Sequence, residues 1–124
     1  TAEILFPDRD IDCVNNLIEM DFGKFDGKSA DELINLPEFK EWLHGGAESA
    51  PPEGESVADV NLRIFKSLAY IIQDMMENDL RHCAVVTHGG IITSMVSGFG
   101  VPKVDPNELR PDFGEGYDIQ KWSF

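Results

Sequence analysis

Three places in the sequence set reactive side chains at a spacing that gives them a role. The first is Cys83-Ala84-Val85-Val86-Thr87-His88-Gly89-Gly90-Ile91-Ile92-Thr93. It opens on a valine-rich run too short for a helix, which reads as a buried strand. Two glycines after His88 make a tight turn, and Ile91, Ile92, Met95, Val96 and Phe99 then recur at helical spacing. The pattern predicts strand, turn and helix, with His88 at the carboxyl end of the strand, facing the amino end of the helix. Free backbone N–H groups and the helix dipole attract an anion there, phosphate above all, with Gly89 letting it come close. Beside an anion, an imidazolium donates to a phosphoryl oxygen and stabilises charge in a transition state. The plainer alternative is a histidine that only hydrogen-bonds at a strand end.

The second place is Glu19. It is either a solvated loop carboxylate or a general acid that protonates a leaving oxygen. Asp8, Asp10, Asp12 and Glu19 also fit positions 1, 3, 5 and 12 of a calcium-loop template. Against that fit, Cys13 stands where the loop needs glycine, and no amphipathic helix follows Glu19. The third place is Gly54-Glu55-Ser56, where Ser56 caps a long helix with Asp59 as partner. Arg63, two turns along that helix, reaches an anion or pairs with Glu55 or Asp59. His44 and His82 stand at element ends. The three histidines have no metal-ligand spacing, so no metal is expected, and nothing in the sequence calls for a cofactor.

The elements that position these residues follow in order. Residues 1–6 read as the last turns of a helix stopped by Pro7, and 13–18 as a short strand. Residues 19–27 form a loop anchored by aromatic side chains, with two glycines. Residues 29–36 read as a helix opened by a Ser29–Glu32 capping box. Pro37 starts a second short helix, which Gly45-Gly46 ends. After a proline-rich loop, 56–78 is a long helix with Val57, Val60, Ile64, Leu68, Ile71 and Met75 as its core stripe. The helix after His88 ends near Gly98, Gly100 and Pro102. A loop follows, and 116–124 reads as a closing strand. The pattern predicts an α/β fold of a single domain spanning 1–124, with too few strands to complete its sheet. A start in mid-helix and a short sheet both suggest a carboxyl-terminal portion of a longer domain.

Composition narrows the function further. The chain has 124 residues, of which 42% are apolar, enough for a packed core. Its formal charge of −13 argues against nucleic acid or an anionic membrane as partner. Cys13 and Cys83 form no CxxC and are expected as buried small residues in a reducing, cytoplasmic compartment. No run approaches the length of a membrane span. Sheet edges left unpaired make an oligomer conceivable.

Taken together, these residues resemble the histidine phosphatase superfamily, the phosphoglycerate mutase-like fold. Leu17-Ile18-Glu19-Met20-Asp21-Phe22-Gly23-Lys24-Phe25-Asp26-Gly27 is similar to its "L-x-E-x-x-F-G-x-x-x-G" segment. Pro52-Glu53-Gly54-Glu55-Ser56 with Arg63 resembles its "P-x-G-E-S … R" helix start, and Val85-Val86-Thr87-His88-Gly89-Gly90 its second-histidine motif. Gly116-Tyr117-Asp118-Ile119 resembles the closing strand of bacterial members. The resemblance implies a three-layer α/β/α sandwich, incomplete at the amino-terminal side. It also implies phosphohistidine chemistry, in which a histidine of an Arg-His-Gly motif attacks phosphorus and arginines hold the phosphoryl oxygens. Glu19 would then be the acid and base, and His88 the second phosphate-binding histidine. Arg-His-Gly does not occur in these 124 residues, so the resemblance places it upstream of Thr1. The segment between Glu19 and Gly54 is short where mutases of the family resemble longer insertions. The expected activity is therefore hydrolysis of a small phosphorylated metabolite. The alternatives are a mutase-type phosphotransferase and an inactive binding module.

Overall fold

The structure, a computed structural model, describes residues 1–119. It is built from helices: α1 (Ala2–Leu5), α2 (Ala30–Leu33), α3 (Pro37–His44), α4 (Val57–Glu77) and α5 (Gly89–Phe99). Single 3-10 turns lie at Asn15–Leu17, Gly23–Phe25 and Pro106–Glu108.

The helix boundaries follow from local chemistry. Ser29 Oγ accepts the Glu32 N–H while Glu32 accepts the Ser29 N–H, and Ser56 and Asp59 repeat this reciprocal box at α4. α2 is shorter than the expected 29–36. The far end of α4 closes without glycine. Asp79 takes a left-handed φ of 51°, and the Leu80 N–H donates back to the Met75 carbonyl at 2.8 Å. This is the reversal usually left to glycine, and aspartate tolerates it.

α4 and α5 pack on each other through Val60, Ile64, Ile91 and Met95, with Leu17 inserted from its turn. Leu68 and Ile71 flank this core, so four of the six expected stripe residues reach it. Val57 is exposed, as are Leu62, Phe65, Ile72 and Met76 on an adjoining face of α4. A second, aromatic cluster joins Phe22, Phe25, Phe39 and Trp42, with edge and tilted ring contacts at 5.6–6.1 Å.

The expected α/β sandwich is not seen. No strand occurs among the described residues. A strand exists only where neighbouring backbone pairs with it, and residues 83–87 have no such neighbour among the described residues. They lie without regular structure, and Cys83, Val85 and Val86 are exposed. Among the described residues the segment is fastened by one bond to another segment, from Thr87 Oγ1 to the Leu17 carbonyl at 2.7 Å. Residues 13–18 form a 3-10 turn rather than a strand. Of the expected closing strand, 116–119 are irregular and 120–124 lie outside the described residues. Without a sheet to cover them, Cys13 and Cys83 are both exposed rather than buried. Among the described residues no helix is long and apolar enough to cross a membrane.

Candidate active site

Glu19 lies in irregular backbone whose course is dictated by α4. Arg63 Nη1 donates to the carbonyls of Asn16 at 2.7 Å and Ile18 at 2.8 Å. Its Nη2 donates to the Glu19 carbonyl at 3.3 Å. The remaining N–H groups grip Glu55 as a fork, Nε to Oε2 and Nη2 to Oε1, each at 2.9 Å. All five guanidinium N–H groups are thereby used. Arg63 pairs with Glu55, as one of its two expected roles had it, and has no donor left for a bound anion. The Arg63 guanidinium holds the Glu55 carboxyl below its ordinary range.

Glu55 extends the grip. Its Oε1 accepts the Asp21 N–H at 2.9 Å, and its own N–H donates to the Asp21 carbonyl at 2.8 Å. Two glycines allow the strands of loop to lie this close. A Cβ on Gly23, at φ 55°, would sit 2.1 Å from the Pro52 carbonyl oxygen, and one on Gly54 would sit 2.7 Å from that of Asp21.

The carboxylate of Glu19 crosses to the amino end of α5. Its Oε2 accepts the Gly90 N–H at 3.2 Å, and Oε1 accepts the Met20 N–H at 2.9 Å. The anion drawn to this helix end is thus a side chain of the protein itself. A Cβ at position 90 would meet Glu19 Oε1 at 2.6 Å, so glycine is what lets the carboxylate in. His88 is the residue preceding α5, in extended conformation, and forms no side-chain cap bond to it. Its side chain and Gly89 are exposed at the same helix end. Three residues singled out by sequence, Glu19, His88 and Gly89, are therefore gathered at one place. Ser56 stands apart, buried as the cap of α4.

The calcium-loop residues do not converge. Asp12 accepts from the Tyr70 hydroxyl, a bond that raises the phenol above its ordinary range, while Glu19 faces α5. Two open hollows, of about 310 and 410 Å³, are lined by neither Glu19 nor His88. Sequence reading missed the Arg63 bonds to the backbone of residues 16–19. Its only available signal was an arginine one helical face away from Glu55, which predicts the pair but not the carbonyls. The fit of Gly90 against Glu19 had no local signal at all.

A family model described as the histidine phosphatase superfamily (branch 1) matches residues 1–112. The chain belongs to that superfamily. The match takes in Glu19, the Gly54-Glu55-Ser56 helix start, Arg63 and His88, and ends before Gly116-Tyr117-Asp118-Ile119. Comparisons with curated proteins and with solved structures return no match. Superfamily membership brings phosphatase or mutase-type activity as the general class.

Proposed function

We propose that this protein hydrolyses small phosphate monoesters through a phosphohistidine intermediate. Glu19 is the proton donor, and His88 and Gly89 bind the phosphoryl group. The observation that carries this reading is the 3.2 Å bond between Glu19 Oε2 and the Gly90 N–H. It sets a carboxyl group against the helix end at which His88 and Gly89 stand. A dianionic phosphoryl group arriving there brings two negative groups together, which favours a shared proton. The nucleophile is a histidine of an Arg-His-Gly motif in the natural gene product. Its nitrogen forms the N–P bond as the ester P–O bond breaks, and Glu19 gives its proton to the departing oxygen. Water then attacks phosphorus, its proton passes to Glu19, and the P–N bond breaks to release inorganic phosphate. His88 offsets the charge on the equatorial oxygens in both steps.

The test is Glu19→Gln in the natural gene product, followed by rapid-quench measurement of phosphoenzyme formation. With alkyl phosphates, whose leaving oxygen needs a proton, the rate falls about a hundredfold or more. With 4-nitrophenyl phosphate, whose leaving group needs none, the loss is far smaller. Equal losses with the two esters would remove Glu19 from the donor role.

A further inference from the structure

We infer that Arg63 is the positioning residue for Glu19, setting the reach of its carboxylate without touching substrate. The inference rests on the reading of Glu19 as proton donor. Glu19 sits in backbone with no regular structure to fix it, yet its carboxylate must meet a leaving oxygen within a few tenths of an ångström. One guanidinium supplies the missing frame. It binds the carbonyls of Asn16, Ile18 and Glu19 itself, and through Glu55 it fixes Asp21 on the other side. Glu19 is thus held from before, at and after its own position. The anchor is a side chain 14% exposed, projecting from the helix that packs against α5 through Val60 and Ile64. Donor and phosphate-binding end are thereby referred to the same two helices. All five N–H groups are spent in this frame, so Arg63 acts on the reaction only through Glu19. Lysine, with three donors on one nitrogen, cannot reproduce a fork and three carbonyl bonds.

The experiment measures, by rapid quench, the rate of phosphoenzyme formation from an alkyl phosphate and from 4-nitrophenyl phosphate in the natural gene product carrying Arg63→Lys. Far-ultraviolet circular dichroism checks its helix content. Glu55→Gln, which loosens the same frame from the other side, is the second variant should the first not fold. The expected result is a fall of about tenfold in the maximal rate of phosphoenzyme formation from the alkyl ester, as small displacements of a reacting group produce. The half-saturating ester concentration stays unchanged, and phosphoenzyme formation from 4-nitrophenyl phosphate stays within about twofold of wild type by the same argument. Added to Glu19→Gln, the substitution brings no further leaving-group-dependent loss. Equal losses in phosphoenzyme formation for both esters, a change in half-saturating concentration alone, or an undiminished effect on the Glu19→Gln background would overturn the inference while leaving the proposed function in place. If Glu19→Gln by itself shows no dependence on the leaving group, the proposed function falls, and this inference with it.

Discussion

Residues 14–23, irregular apart from 3-10 turns, and residues 83–88 both approach the α4–α5 pair without sheet or α-helix of their own, yet they are held very differently. The first segment is bound by a guanidinium, a carboxylate, a buried leucine and two glycine contacts. Among the described residues the second is held by the Thr87 hydroxyl at one point, with its valines exposed. The segment with the poorer apolar pattern is the better fixed. Apolar run length thus says little about how firmly a stretch is held. What matters is whether its backbone groups find partners.

The largest effect that would break this comparison is a matched pair of truncations. Ile64→Ala empties a fully buried site and should cost about 2–5 kcal/mol. Val86→Ala, at a side chain 41% exposed, should cost under about 0.5 kcal/mol. Urea unfolding followed by circular dichroism gives both values. A comparable loss at Val86 would mean that the extended segment is anchored as tightly as the core.

A smaller effect separates space from backbone conformation. Gly23→Ala brings a Cβ against the Pro52 carbonyl and an unfavourable φ together, for about 2–3 kcal/mol. Gly114→Ala has the unfavourable φ of 79° but nothing within 4 Å, and should cost about 1 kcal/mol. Thermal melts of the two variants sharpen the claim that residues 19–25 are pressed against 51–56. Equal shifts in Tm would contradict it.

The smallest expected effect is a pH dependence. Glu55 has its folded-state pKa lowered by Arg63 from an ordinary value of 4.5. A depressed carboxyl binds its proton more readily in the unfolded chain. Its contribution is therefore fully present above pH 4.5 and lost as pH falls through the folded value. The difference in urea midpoint between wild type and Glu55→Gln should be constant above pH 5, roughly, and should narrow as the solution is acidified. A difference that persists unchanged into acid would mean that Glu55 gains nothing from Arg63.

Much of the helical framework was legible in the sequence because its signals are local. Ser29 with Glu32, Ser56 with Asp59, and Pro37 at the start of α3 each specify a boundary within four residues. The motifs also gave the superfamily. The sheet was misread because Val85 and Val86 have the right residue types for a strand, whereas a strand depends on a neighbour that no local pattern supplies. The buried cysteines failed for the same reason, since their burial presumed that sheet. Arg63 was half legible. Its partner Glu55 lies 8 residues away on the same helical approach, but the carbonyls it binds lie 44–47 residues away.

Gly90 shows how stability and chemistry can part company at one position. The atom that an alanine there would strike is the tip of a flexible glutamate, 2.6 Å from the new methyl group, not a wall of backbone. The carboxylate can swing aside into solvent, and the helix need not move. A survey of variants scored by folding or expression would pass Gly90→Ala as harmless. The same survey scored by catalytic turnover would discard it, because the displaced tip is the proton donor proposed above. Selection acting on position 90 would therefore be selection for work done 71 residues earlier in the chain, invisible to any assay of how well the protein holds together.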